Sequence, residues 1–263
     1  MENTQIQYPD IRTFSRLRIF NLAMAFLHAA QGVIMLVLSS DFALPITTSF
    51  VEYNQTTHKL FTQLQTVFDL RVGFLVAGFL FLSALAHLMV SLPRIYEWYV
   101  EHLKKGANYA RWIEYAFSSS LMIVIIAMLV GVYDGTSLIL LFGLNTMMIL
   151  FGWMMELHNQ STTSTNWTSF IFGSIAGLVP WVVVALYLFN SGEGDFKAPT
   201  FVYWIYFSIF IFFNSFAINM VLQYKKVGKW KQYLYGERAY IILSLVAKSL
   251  LAWQVWAGTL RPV

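Results

Sequence analysis

The chain has 263 residues, of which 58% are hydrophobic and only 11% are charged, and it carries a formal net charge of +4 and no cysteine. This composition lies outside the range of soluble globular domains and is typical of an integral membrane protein. The lack of cysteine excludes disulfides, thiol catalysis and thiolate metal sites, and no fold signature accompanies the small positive charge to indicate a nucleic-acid partner.

Seven stretches of the chain are apolar enough to cross a membrane. A hydrocarbon core of ~30 Å requires about 20 residues of helix, and most of the segments between charged residues reach that length. The sequence therefore predicts an all-α integral membrane protein, a seven-transmembrane-helix bundle that forms one domain over residues 1–263. We expect the helices at about 18–40, 68–92, 105–132, 137–157, 167–190, 199–224 and 236–259.

The connections between these helices contain two local patterns. The first, from about Asp41 to Phe68, is the longest, and its alternating side chains around Phe50 predict a short β-hairpin. The sixth, Lys225–Tyr235, mixes lysines with apolar and aromatic residues, which suits either a short element in the membrane interface or simple anchoring of the loop ends.

Basic residues are concentrated at one end of the predicted bundle. That end contains Arg12, Arg16, Arg18, Arg94, Lys104, Lys105, Lys225, Lys226, Lys229, Lys231 and Arg238. The other end has only Lys59, Arg71, Lys197 and Arg261. The positive-inside rule therefore predicts a multi-pass protein of the cell membrane, in contact with lipid, with a cytoplasmic N-terminus and an extracellular C-terminus.

Lys248 is the most unusual residue of the predicted bundle. Ten residues separate it from Arg238, a rise of about 15 Å along a helix, which places its amine near the bilayer midplane. A bare ammonium there costs about 2.5–3.5 kcal/mol on insertion scales, so an intramembrane lysine indicates a functional site. The alternative is snorkelling to an interface, which suits lysines near helix ends.

Glu114 is the natural partner of Lys248, because it is the only acidic residue well within a predicted span. It lies nine residues after Lys105, at a depth of about 13 Å, and opposite charges in a dry interior stabilise each other's ionised form. Ser118 follows Glu114 by one helical turn. Ser244 precedes Lys248 by one turn, so both hydroxyls are placed to hydrogen-bond the pair. The alternatives are a purely structural ion pair and serines that mediate only helix packing.

Two histidines fall in the half of the bundle nearest the basic end. His28 lies ten residues after Arg18, and His87 lies seven residues before Arg94. Together they indicate a polar cavity in that half. Since no carboxylate stands at ligand spacing from either of them, we expect no metal, and packed neutral histidines are the alternative.

The chemistry of a buried lysine indicates what this site binds. An amine in an apolar, aromatic-rich bundle is suited to a Schiff base with an aldehyde, and retinal is the obvious aldehyde of membranes. Four stretches, RWIEYAFSSS (111–120), FGLNTMMILFGW (142–153), FFNSFA (212–217) and GERAYIILSLVAKS (236–249), resemble the heliorhodopsins. These are retinal proteins whose membrane orientation is inverted relative to other microbial rhodopsins.

The resemblance implies a role for each matching residue. It implies that Lys248 carries all-trans retinal as a protonated Schiff base and that Glu114 is the counterion. Ser118 and Ser244 would line the Schiff-base region, and His28 and His87 would match the family's polar cavity. The polyene and ring would be lined by Tyr115, Asn145, Met148, Ile149, Trp181 and Phe213. The outer connection would hold a strand pair that forms a homodimer.

The sequence favours a light sensor over an ion pump. The third helix of pumping rhodopsins supplies a carboxylate, then a hydroxyl, then a second carboxylate. The corresponding positions here are Glu114, Ser118 and Ile125, so the second carboxylate is missing. Their seventh helix carries an aspartate where this chain has Ser244. We therefore expect a signalling photoreceptor with a slow photocycle, read by an unidentified cytoplasmic partner, and no enzymatic activity. The alternatives are a proton channel or weak transporter with the same pigment, and a retinal-free seven-helix enzyme or receptor.

Overall fold

The computed structural model describes residues 11–190, 192 and 197–262. Within these residues, seven helices are long and apolar enough to cross a membrane, as the sequence predicts. They are α1 (Ile11–Leu38), α2 (Val72–Met89), α4 (Tyr109–Leu129), α5 (Gly135–Asn159), α6 (Thr168–Asn190), α7 (Thr200–Tyr224) and α8 (Tyr233–Val255). A further helix, α3 (Pro93–Lys104), lies between α2 and α4, and α8 continues as a π-helical turn over Trp256–Leu260.

Helix α3 was expected as part of a connection, and its surface explains why it is separate from the transmembrane helices. It buries Tyr99 and Leu103 on one face and exposes Glu97 and Glu101 on the other, which is the pattern of a helix lying along a surface. The chain then turns at Gly106, whose φ of +74° favours glycine. Helix α4 therefore starts four residues later than predicted, at Tyr109 rather than 105.

The predicted hairpin is present and is longer than expected. Strands β1 (Ala43–Asn54) and β2 (Lys59–Arg71) pair antiparallel, with a register shift after Ile46. At the turn, the Asn54 carboxamide oxygen accepts hydrogen bonds from the backbone N–H groups of Thr56 and Thr57. Because β2 extends to Arg71, α2 begins at Val72 and not at the predicted residue 68.

The bundle has two distinct ends, which we call the α3 end and the hairpin end. The α3 end carries α3 and a short 3-10 helix, Gly228–Lys231, between α7 and α8, in the connection for which either a short element or simple anchoring of the loop ends was expected. At the hairpin end the backbone N–H of Ser40 donates to the carbonyl of Leu260, which ties the end of α1 to the end of the chain's last helical turn.

The outer surface of the bundle is apolar, as a lipid-facing surface must be. Phe26, Ile139 and Trp204 are 72%, 73% and 65% exposed, respectively. The main core cluster lies towards the hairpin end and is formed around Val76, Ile125 and Leu251, which are completely buried. Helix α4 packs against α2 and α5 and supplies much of that core, so its side chains face the centre of the bundle.

The start of α5 gives a first prediction. Asp134 caps α5 by accepting hydrogen bonds from the backbone N–H and the hydroxyl of Ser137, and these bonds together with that from the Thr136 hydroxyl lower the pKa of its carboxyl. Asp134→Ala should lower the free energy of unfolding by about 0.5–2 kcal/mol, whereas Asp134→Asn should retain most of the cap. Thermal unfolding of the purified variants in detergent measures the difference.

The same cap has a defined pH dependence. A depressed folded pKa means that the charged cap stabilises fully above the usual carboxyl pKa of 3.8, and that this contribution is lost as the pH falls through the lower folded value. The advantage of wild type over Asp134→Asn should therefore disappear only in strong acid. Equal stability of wild type and Asp134→Ala at neutral pH would contradict the capping role.

Candidate functional site

Lys248 and Glu114 meet in the centre of the bundle, as the sequence predicts. The Lys248 Nζ lies 2.7 Å from the Glu114 Oε1, and the side chains are 4% and 8% exposed. Lys248 Nζ also donates to the Ser244 hydroxyl at 2.8 Å, one turn earlier on α8. An uncompensated ammonium in this position would be very costly, so the direct carboxylate contact is what makes a charged Lys248 tenable.

Two further serines surround Glu114, and sequence reasoning identified only one of them. Ser83, on α2, donates its hydroxyl hydrogen to the Glu114 Oε1 at 2.7 Å. Its position one turn before His87 was an available signal. Ser118, on α4, lies near Glu114, but its fully buried hydroxyl has no partner in hydrogen-bonding geometry among the described residues.

A cavity of about 220 Å³ opens from Lys248 between α4, α5, α6, α7 and α8. Seven of the eight residues predicted to line the retinal or its Schiff base contribute to its wall, namely Tyr115, Ser118, Met148, Ile149, Trp181, Phe213 and Ser244. Asn145 does not line the cavity. It is buried behind the wall and donates to the hydroxyls of Ser119, at 2.8 Å, and Ser120, at 3.1 Å.

The chemistry of the cavity wall fits an apolar aldehyde attached to Lys248. Its wall is mostly aromatic and aliphatic, and Trp181 stands edge-on to the rings of Phe210 and Phe213 at 5.2 and 5.3 Å. Two glycines keep it open. A Cβ on Gly177 would lie only 2.2 Å from the Met148 Sδ, and one on Gly152 would lie 2.5 Å from the Trp112 ring.

The two histidines form a stacked pair on the α3 side of Glu114. The rings of His28 and His87 are 5.7 Å apart and nearly parallel, with an angle of 9° between their planes. His87 Nδ1 forms a hydrogen bond of 2.7 Å with the Asn21 side-chain oxygen, whereas neither ring nitrogen of the buried His28 has a partner within the described part of the chain. The absence of a bound metal, which we predicted, stays a prediction.

A small cavity of about 40 Å³ lies beside the histidine pair. Most of its wall is apolar, but His87 and Glu114 line it, and so do Arg111 and Glu237. Its size and these four side chains suit ordered water, since a water molecule needs about 10–15 Å³ of such space and two to four polar partners. His28 stacks on His87 and does not line the cavity, so only one of the two histidines faces it.

Beyond this small cavity lies a second buried charge cluster that sequence reasoning missed. Arg111, on α4, forms ion pairs with Glu237, on α8, and with Glu156, on α5, the latter at 2.5 Å. The Trp112 Nε1 donates to Glu156 at 2.5 Å, and the Asn108 amide donates to Glu237 at 2.6 Å. All three charged side chains are less than 5% exposed.

The sequence analysis did not identify this charge cluster for a simple reason. Glu156 and Glu237 fall at the ends of their predicted helices, where a carboxylate is expected to reach water. The structure instead brings three helix ends together around one guanidinium. The available signal was Arg111 itself, a charged residue just inside the predicted third helix.

A comparison with models of protein families gives a match for this chain. The family model described as Heliorhodopsin matches residues 17–260, which is nearly the whole chain. A search of curated proteins gave no match.

The missed cluster gives a second prediction. Arg111→Ala leaves Glu156 and Glu237 buried without a counter-charge and should lower the free energy of unfolding by about 3–5 kcal/mol. Lys105→Ala is the control, because it breaks an exposed ion pair with Glu101 near the same end of the bundle and should change the unfolding temperature little. Thermal unfolding in detergent compares the two, and similar small losses would contradict a structural role for the cluster.

Proposed function

The chain belongs to the heliorhodopsin family, and from this membership and the site geometry we propose that it is a light-sensing photoreceptor that signals and does not pump ions. The observation that carries the proposal is the buried Lys248–Glu114 pair at the mouth of an apolar cavity. We propose the whole chain as a single retinal-binding domain without enzymatic activity.

All-trans retinal is the proposed cofactor, and when bound to Lys248 as a protonated Schiff base it supplies light absorption and isomerisation. Glu114 then serves as the counterion, since its oxygen lies within hydrogen-bond distance of the Lys248 nitrogen. Ser244 and Ser118 complete the polar surroundings of that nitrogen. Met148, Ile149 and Trp181 confine the apolar part of the ligand, together with Tyr115 and Phe213.

The one-sided distribution of polar groups supports a sensor. On the α3 side of Lys248, a polar region runs from Glu114 past His87 to Arg111. On the hairpin side, Leu251, Ala252 and Val255 are completely buried in the apolar core cluster. A proton that leaves the Lys248 nitrogen towards Glu114 and His87 therefore returns from the same side, and such a cycle moves no net charge across the membrane.

A weak proton transporter is the second candidate, because the polar region does continue beyond His87. Arg111 and Glu237 line the small cavity next to Glu114, and Glu156 borders a larger pocket that opens at the α3 end. This route gives one face of the membrane access to the site. Transport would need a second route through the apolar core at the hairpin end.

We propose that the α3 end faces the cytoplasm. The connections at this end carry most of the chain's lysines, including Lys225, Lys226, Lys229 and Lys231, which supports a cytoplasmic N-terminus under the positive-inside rule. The signalling partner would then contact these loops, since helix movements around Lys248 change their positions. Exposed apolar side chains on the hairpin, such as Phe61 and Leu64, support a homodimer. We propose no nucleic-acid partner.

The pigment gives a third prediction. Purified wild type supplied with all-trans retinal should be coloured, whereas Lys248→Ala should be colourless because the amine that forms the covalent link is gone. Glu114→Gln should shift the absorption maximum or lower the pH at which the colour changes, because it removes the charge next to the nitrogen. Absorption spectra over a pH titration measure both effects.

Two results of this experiment would count against the assignments. A colourless wild type would refute the retinal proposal and favour a retinal-free enzyme or receptor. An unchanged spectrum and titration in Glu114→Gln would refute the counterion role alone. Lys59→Ala is a suitable control for the lysine variant, because Lys59 is the exposed first residue of β2, next to the turn of the hairpin.

The proposal that the protein signals and does not pump ions gives a fourth prediction. Illumination of unbuffered cells that express the coloured protein should cause no sustained pH change that a protonophore abolishes. The physical reason is the one-sided polar region, which returns the proton to the side from which it came. A sustained, protonophore-sensitive change would establish transport and would direct the search for a proton donor to His28 and His87.

A further inference from the structure

A polar pocket of about 340 Å³ opens at the α3 end and is separate from the retinal cavity. It lies between the α5–α6 connection and the α7–α8 connection, and we call it the basic pocket. The residues that matter to its chemistry are Lys105, Lys226, Lys231, Thr163, Glu156 and Tyr233. Its volume lies within the range of about 300–1,000 Å³ that is usual for small-molecule sites.

The rim of the basic pocket carries uncompensated positive charge. Lys105 is paired with Glu101 at 2.6 Å, but neither Lys226 nor Lys231 forms an ion pair within the described residues. Thr163, together with the adjacent Ser164 and Thr165, adds exposed hydroxyl groups to the wall. Ammonium and hydroxyl groups around one space are the donors that multiply charged oxyanions require.

Among the described residues that line the pocket, Glu156 is the only carboxylate, and its oxygens face donors within the protein. It accepts hydrogen bonds from Arg111, from the Trp112 ring and from the backbone N–H of Asn108, and it shares the Arg111 guanidinium with Glu237. The Tyr233 hydroxyl donates to it at 3.2 Å from the pocket side. The oxygens of Glu156 are therefore already occupied by four donors.

Glu156 also links the basic pocket to the pigment site. Arg111, which it holds, is on α4 one turn before Glu114, and Glu114 contacts Lys248. Arg111 also lines the small cavity that reaches Glu114. A ligand that moves Tyr233 or Glu156 therefore acts on hydrogen bonds and ion pairs that reach Arg111, and Arg111 shares the small cavity with the proposed counterion.

We propose that the basic pocket binds a small phosphate-bearing anion, which acts as an effector of the pigment. The phosphate oxygens accept hydrogen bonds from Lys226, Lys231 and the Thr163 hydroxyl. Its presence next to Tyr233 and Glu156 changes the lifetime of the photocycle through Arg111. The effector role rests on the proposed photoreceptor function, whereas the binding itself does not.

The test uses full-length protein in phosphatidylcholine nanodiscs, where both faces are accessible, with pyrophosphate and ATP as probes. Isothermal titration calorimetry in the dark measures binding without any reference to the pigment. Lys226→Ala/Lys231→Ala should raise the dissociation constant about tenfold or more, because it removes two charge-assisted hydrogen-bond donors. The matched control is Lys225→Ala/Lys229→Ala, which removes the same charge from the same connection outside the pocket and should change binding by less than about threefold.

Four outcomes decide the proposal. Lack of calorimetric binding to wild type at millimolar probe, or an equal loss of affinity in both double variants, overturns the site. Binding that leaves the recovery rate of the light-activated pigment unchanged overturns the effector role, because that role consists of a change in the lifetime of the photocycle. A colourless protein that still binds the probes would instead overturn the proposed function and leave the site intact.

A further measurement identifies the source of the phosphate. The same titration in phosphatidylglycerol nanodiscs should give weaker probe binding if lipid headgroups occupy the basic pocket, and that weakening should vanish in Lys226→Ala/Lys231→Ala. Equal probe affinity in the two lipids supports a soluble ligand. Weakening that persists in the double variant reflects the surface charge of the lipid and contradicts occupation of the pocket by headgroups.

Discussion

The buried contact between Lys248 and Glu114 is the constraint on which the rest of the structure depends. Each group would be very costly alone in the centre of a membrane bundle, so the two helices that carry them must keep a fixed depth and rotation relative to each other. Hydrogen bonds from Ser83 and to Ser244 extend that constraint to α2 and along α8. This constraint also fixes the position of the Lys248 amine in the wall of the apolar cavity.

The second charge cluster explains how the polar interior is organised around this pair. Arg111 holds Glu156 and Glu237 from two other helices, so α4, α5 and α8 are joined near the α3 end, while apolar packing joins the helices at the hairpin end. The buried charged groups therefore lie towards the α3 end, and the main hydrophobic core lies towards the hairpin end. This asymmetry is the reason why we propose proton exchange with one face only, and why we propose that a pocket at that face acts on the pigment site.

Much of the architecture follows from the sequence, because a membrane imposes simple rules on it. A span must be about 20 residues long and apolar, and its backbone must be internally hydrogen-bonded. Six of the seven predicted helices therefore match the observed ones to within a few residues, and the exception is α1, which begins at Ile11 and not at 18. The hairpin was predicted from alternation, although its length was underestimated. The α3 helix was missed, because its pattern of two buried residues among charged ones indicates burial only once the bundle surface beneath it is known.

The sequence by itself determined the seven spans, the central lysine, its acidic partner and seven further residues of the cavity wall, because each of these is either a charge in an apolar stretch or a residue in a family pattern. Only the tertiary structure decided that Ser83 contacts Glu114, that Asn145 lies behind the cavity wall, and that Glu156 and Glu237 are buried around Arg111. The physical reason is that a residue at a helix end is exposed or buried according to which other helices end beside it. Distances between spans that are far apart in the chain are set by packing, and no local pattern encodes them.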